Sequence, residues 1–225
     1  MRVSCIIPAY NEGARIGSVL KAVVGHPLVD EVIVIDDGSD DDTGDRIRAF
    51  PSARLISQER NEGKSRAIAD GTRAARGEYL LFLDADLIGL TPVDVTALLK
   101  PVLDGRADTS ISLRRDALLP WRVIGLDYLS GERVIPRKII DSHIVTIAHL
   151  SGFGLESFLN DLILTSGARL QVVWWPTVGH TYKVRKYGMW KGLLGEVRML
   201  ANIVETVSLI GTTYQLLAMH RARVL

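Results

Sequence analysis

The chain has 225 residues, 47% of them hydrophobic, 24% charged, with a formal net charge of +1. That composition supports a sizeable core and excludes a disordered chain, and the near-neutral balance excludes nucleic-acid binding through bulk charge. Cys5 is the only cysteine, so a disulfide framework and a cysteine-based zinc site are both excluded within one chain. Short apolar runs alternate with helical patterns through the first half. The reading predicts strands at 3–7, 32–35, 55–56, 79–83 and 109–113. Between them it predicts helices at 14–24, 42–50, 64–75 and 93–103, from apolar residues at helical spacing such as Ile16, Val19, Leu20, Val23 and Val24. Further on, 152–166 reads as a helix, 170–174 as a strand and 190–219 as an amphipathic helical stretch.

Strands alternating with helices imply a largely parallel sheet covered on both faces, with ligands outside the carboxyl ends of the strands. Acidic clusters follow two of those ends: Asp36 and Asp37 after the second strand, Asp84 and Asp86 after the fourth. Two carboxylates at i and i+2 can converge on a hard cation such as Mg²⁺ or Mn²⁺, which keeps water and substrate phosphate for the rest of its shell. A solvated acidic loop is the plain alternative. Asp37 can accept hydrogen bonds from a base or a ribose, while Ser39 and Asp40 are N-cap candidates for the next helix. Two phosphate motifs fail: the P-loop pattern ending in Gly63-Lys64-Ser65 needs Gly where Gln58 stands, and a dinucleotide fingerprint at Gly152 and Gly154 needs Gly where Ser157 stands.

Together the segments PAYNE (Pro8 to Glu12), VIVIDDGSDDDT (Val32 to Thr43) and RNEGKSRAIADGTRAARGEYLLFLDAD (Arg60 to Asp86) resemble family 2 glycosyltransferases of the GT-A fold. The resemblance implies a metal-dependent enzyme that moves a sugar from a UDP- or GDP-sugar donor. It implies that Pro8, Tyr10 and Glu12 line the nucleoside pocket, Asp37 holds the base, and Asp84 and Asp86 carry diphosphate and metal. The second half resembles the polyprenyl-phosphate branch, similar to dolichol-phosphate mannose synthases. DADL at 84–87, SGER at 130–133, GFGLE at 152–156 and VRKYGMWKG at 184–192 carry that likeness, with Ile88 and Trp190 standing where the branch favours polar residues. By this match Arg114, Arg133, Arg185 and Lys191 hold phosphates, and the acceptor is a polyprenyl phosphate at the cytoplasmic membrane face.

A phosphate monoester is already ionised near neutral pH and needs arginines more than a base. An alcohol acceptor instead requires a carboxylate to take its proton. Glu156 is the residue for that role, with Asp161 second, or else Glu156 only orients an arginine. Lys64 either approaches phosphate or lies on a solvated helix face. His180, beside the basic run, is a candidate for contact with diphosphate, whereas His143 and His149 lack metal-ligand spacing. The expected organisation is a GT-A domain over 1–187 and a helical segment over 188–225. That segment would touch a membrane interface, form a homo-oligomer, or pack on its own domain. The apolar run opening the chain is too short for a signal peptide or a span, and the longest uncharged stretch near its end, 206–219, has 14 residues.

Overall fold

The computed structural model describes residues 1–117, 119–152, 154–180 and 209–224, without side chains for 119–120 and 209–214. The apolar runs become the centre of one sheet. Strand β1 (Val3–Ala9) is buried almost throughout, which suits a strand covered on both faces. It pairs in parallel with β2 (Glu31–Asp36) and β4 (Tyr79–Phe82), and β2 pairs in parallel with β3 (Ala53–Ser57). Helix α1 (Ile16–Val23) buries its Ile16, Val19, Leu20 and Val23 stripe on one face. Helix α3 (Lys64–Ala74) covers the other. Gly71 lets α3 approach closely: a Cβ there would stand 2.5 Å from Ile6 and 2.6 Å from Ile35. Between them, α2 (Thr43–Arg48) links β2 to β3.

After β4 come the two-residue strand β5 (Leu87–Ile88) and helix α4 (Pro92–Leu103). Thr91 caps α4 in a reciprocal capping box with Asp94, and Pro92 sits at the helix start, where its missing N–H costs nothing. Strand β6 (Thr109–Arg114) then enters the sheet, followed by α5 (Leu119–Ile124) and β7 (Arg133–Pro136). The sheet order is β3-β2-β1-β4-β7-β6-β8, with β8 spanning Leu170–Trp175. Strand β7 runs antiparallel to both β4 and β6. No strand was expected there. Its four residues are all buried, so they show no alternation that would betray a strand. The remaining pairs of this sheet are parallel, as expected.

Helices α6 (Arg137–Ile140), α7 (Ile144–Ala148) and α8 (Gly154–Thr165) complete the α3 face. A two-stranded antiparallel ribbon pairs β5 with β9 (Gly179–His180), Leu87 opposite His180. The last helix, α9 (Leu209–Arg221), packs on α8. Met219 is fully buried beside Ile111, Leu126, Tyr128 and Leu170. Gln215 is buried against Tyr128, Ser157 and Asp161, and the chain then pairs with β8 through Leu170 and Arg223. The terminal helix therefore has a partner within its own chain. The remainder of the expected helical stretch, with Gly188, Trp190, Arg185 and Lys191, lies outside the described residues. Among the described residues, no helix is long and apolar enough to cross a membrane.

Candidate active site

Strand order reverses at β1: β2 and β3 lie on one side, β4 on the other. In open parallel sheets a crevice forms at this point, beyond the carboxyl ends of the strands. Here it has a volume of about 390 Å³. It is lined by Pro8, Tyr10 and Glu12 after β1, Asp37 after β2, Gly63 and Lys64 at the start of α3, and Asp84 and Asp86 after β4. All seven residues expected on the donor side, apart from the arginine and lysine of the second half, thus share one cleft.

The loops hold one another in place. Asn11 takes a left-handed conformation (φ 55°), which asparagine tolerates better than most residues. Its N–H donates to Ser39 Oγ at 3.0 Å and its Oδ1 accepts from the Asp40 N–H at 2.9 Å. The Glu12 N–H donates to Thr43 Oγ1 at 2.8 Å, and the Glu12 carboxylate pairs with Arg15. Asp41, not Ser39 or Asp40, accepts from the Thr43 N–H at the start of α2, and it also accepts from the Gly13 N–H. Both oxygens of buried Asp37 accept backbone N–H groups, from Glu62 at 2.8 Å and Gly63 at 2.9 Å. Asp37 therefore shapes the loop that delivers Lys64 while still facing the crevice. Gly38 is required beside it: φ is +69°, and a Cβ would lie 2.4 Å from the Arg60 backbone.

At the floor, Asp84, Asp86 and Glu132 converge on two cations. Lys64 Nζ lies 2.8 Å from Asp84 Oδ1. His180 Nε2 lies 3.3 Å from Asp86, 3.5 Å from Asp84 and 3.6 Å from Glu132. The β5–β9 ribbon delivers this histidine, and its N–H is anchored at 2.6 Å on Asp116. Burial works against the His180 cation, but Asp84, Glu132 and Asp86 outweigh it and push its pKa up to about 9. Burial would likewise raise Asp84, yet Lys64 and His180 hold it well below the usual carboxylate range. Asp86 is shifted the other way, raised by burial and by repulsion from Asp84, Glu12 and Glu132, with His180 opposing.

These residues fit a divalent ion. One ligand atom each of Asp84, Glu132 and His180 lies within 4.8 Å of the others, and carboxylate with imidazole suits Mn²⁺. Glu132 is the most committed of the three. Its oxygens accept from Arg114 Nη1 at 2.8 Å, from Ser112 Oγ at 2.8 Å and from Ser130 Oγ at 2.7 Å. Asp84 and His180, with Asp86 3.3 Å from His180, are therefore the groups that could take up an ion, and Glu132 stands behind them. Gly131 keeps this floor open: a Cβ would fall 2.7 Å from both Asp84 oxygens and 2.9 Å from Lys64 Nζ. Gly131→Ala should reduce activity about tenfold or more by displacing both groups, comparable to a 1 Å misplacement at a reacting centre. Steady-state kinetics with a thermal melt check this, and an unchanged rate would mean that the Lys64–Asp84 pair is dispensable.

Three expected site residues lie elsewhere than the sequence suggested. Arg133 is fully buried and does not reach the crevice. It donates from Nη1 to Asn160 Oδ1 at 3.0 Å and from Nη2 to the Ser130 carbonyl. Arg114 is held by carboxylates, Glu132 at 2.8 Å and Asp127 at 3.1 Å, with His180 Nε2 at 3.3 Å, so it braces the floor and is not offered to a phosphate. Glu156 is buried and its Oε1 accepts from Lys64 Nζ at 3.0 Å. A carboxylate paired with an ammonium and shut from the crevice is not placed as a general base. Asp161, the second candidate, accepts from Gln215 and belongs to the α8–α9 contact. Arg185 and Lys191 fall outside the described residues.

A family model, Glycosyl transferase family 2, matches residues 4–155. The chain belongs to that family. Glucosyl-3-phosphoglycerate synthase of Mycobacterium tuberculosis is 40% identical over 113 residues, 46% of this chain and 34% of that enzyme. A dolichyl-phosphate beta-glucosyltransferase of Dictyostelium discoideum is 36% identical over 99 residues, 37% of this chain and 30% of the other. The matched segments thus span about a third of these curated relatives. Among solved structures, the M. tuberculosis synthase with Mn²⁺, UDP and glucosyl-3-phosphoglycerate superposes with a TM-score of 0.72 at 28% identity, covering 91% of this chain and 79% of that one. Its complex with Mn²⁺ and UDP-glucose gives 0.67 at 30% identity, over 80% of this chain and 71% of the other. The GT-A-type α/β fold and the glycosyltransferase family expected from the sequence are both shown.

Proposed function

We propose that the chain transfers a sugar, with a hexose as first choice, from a UDP-sugar to a phosphate-bearing acceptor with the help of Mn²⁺ or Mg²⁺. The observation that carries this reading is the switch-point crevice. It gathers Pro8, Tyr10, Glu12, Asp37, Lys64, Asp84 and Asp86 in one cleft. Similarity to a synthase crystallised with Mn²⁺ and UDP-glucose favours uridine over guanosine. In this reading the nucleoside lies along Tyr10 and Glu12 near Asp37. The diphosphate reaches down to Lys64 and the Asp84, Asp86 and His180 group. A divalent ion bound there supplies the charge that stabilises a departing diphosphate. Lys64 adds a fixed cation beside Asp84, and His180 Nε2 lies 3.3 Å from Asp86 on the same floor.

For the acceptor, the first reading is a polyprenyl phosphate approached at a membrane face. An ionised phosphate oxygen needs no base, and Glu156 is tied to Lys64, which fits such a nucleophile. A second reading, a small phosphorylated hydroxy acid, is favoured by the superposition over 91% of the chain with the phosphoglycerate synthase. The experiment presents both acceptors with labelled UDP-glucose and Mn²⁺, with and without a chelator. Metal-dependent label extracted into organic solvent supports the lipid acceptor. Label in a water-soluble phosphorylated product supports the second. Absence of transfer to either, from UDP- or GDP-sugars alike, overturns the proposal.

A further inference from the structure

Glu156 Oε2 and Arg133 Nε are among the buried polar atoms behind the crevice that have no hydrogen-bond partner among the described residues. Both residues line one enclosed space of about 10 Å³, together with Lys64, Asp84, Gly131 and the apolar Ile68, Phe82, Leu83, Leu155 and Leu159. That is the size of a single water, which needs two or more polar partners to stay. Among the residues lining this space, Arg133 Nε is an orphan donor and Glu156 Oε2 an orphan acceptor. Beyond the space, Glu156 Oε1 accepts from Lys64 at 3.0 Å, and Lys64 donates onward to Asp84 at 2.8 Å.

We infer that Glu156 is a positioning residue which acts through Lys64, anchored from behind by Arg133 and one enclosed water. The inference rests on the reading of the crevice as a donor site. An ammonium has three N–H donors. Glu156 and Asp84 take two from fixed directions, and the third is left for the crevice that Lys64 also lines. Lys64 begins α3, Glu156 stands in the first turn of α8, and Asp84 follows β4. Three separate elements thus aim one flexible side chain. A lysine held this way meets an anionic oxygen without first losing its rotamer freedom, which lowers the cost of binding. The arrangement gives the carboxylate of the GFGLE segment a task other than proton abstraction.

A double-mutant cycle tests this without any acceptor. UDP is titrated calorimetrically, with Mn²⁺, into the wild type, Glu156→Gln, Lys64→Met and the double variant, each checked by thermal melt. The expected result is a loss of about tenfold in UDP affinity for each single variant, and about the same tenfold for the double, because coupled residues are non-additive. Losses that multiply to about a hundredfold in the double would overturn the inference while leaving the donor site intact. Wild type that fails to bind UDP would instead remove the donor reading, and the inference with it. A crystal structure supplies the second readout. Water between Arg133 Nε and Glu156 Oε2 supports the relay, whereas Glu156 turned onto the donor sugar contradicts it, whatever the stability of the variants.

Discussion

Asp86→Ala should lower the transfer rate about a thousandfold while leaving the melting temperature unchanged or slightly raised. The two halves of this expectation have one cause. Asp86 sits at the end of β4, a third exposed, among Asp84, Glu12 and Glu132, and burial plus that repulsion raises its pKa. Removing it relieves like-charge crowding in the folded state and takes nothing from the core. In the proposed function it also takes one carboxylate from the place where metal and diphosphate meet. Asp84→Ala should behave differently, because Asp84 is paired with both Lys64 and His180, and its loss leaves Lys64 to Glu156 and His180 to Asp86 and Glu132. The check is steady-state kinetics across a metal titration, with a melt for each variant. An Asp86→Ala enzyme that keeps full activity would remove this residue from the metal site.

Arg133→Met should destabilise the protein by about 3–5 kcal/mol, the cost of breaking a buried charged network by deleting one partner. At roughly 2–4 °C per kcal/mol for a chain of this size, that is a fall of about 10 °C in melting temperature. The guanidinium is fully buried, and burial lowers its pKa while the charges of Glu156, Glu132, Asp127 and Asp84 oppose that shift. Deleting it strands the Asn160 Oδ1 and the Ser130 carbonyl and leaves Glu156 without a nearby countercharge on that side. A phosphate-binding arginine would behave in the opposite way, losing substrate affinity at unchanged stability. Chemical denaturation together with donor KM separates the two, and a variant of native stability with a raised KM would restore the phosphate role.

The lining of the crevice was legible because its residues follow strand ends that periodicity locates. Once β1, β2 and β4 are read as parallel neighbours, Tyr10, Asp37 and Asp84 must share one edge of the sheet. The back of the site was not legible. Strand β7 is four buried residues without alternation, and its place between β4 and β6 brings Arg133, with Glu132 and Gly131 just before it, to the floor. SGER was therefore read for its arginine, while the residue facing the acidic floor is Glu132. His180 was marked only as a possible phosphate contact. It reaches Asp86 through a two-residue ribbon, and no local pattern in the sequence announces the pairing of Leu87 with His180. Lys64 was ambiguous between a solvated face and a phosphate ligand, because its partners Asp84 and Glu156 lie 20 and 92 positions away. In each case the missing information was strand order and side-chain direction, which a single sequence does not encode locally.

The terminal helix carries a similar lesson. Its pattern was compatible with a membrane, a second copy or its own domain. Met219 and Gln215 show that α9 buries one side on α8 and β8. Any membrane contact by the described part of the chain must therefore use surfaces other than that side.

The most direct test of the account is calorimetric titration of UDP into the wild-type protein with and without Mn²⁺. Binding should strengthen at least about tenfold when the metal is present, and GDP should not match it. Binding of equal strength with and without metal, or no binding of UDP at all, would contradict the assignment of Asp84, Asp86 and His180 to a metal–diphosphate site.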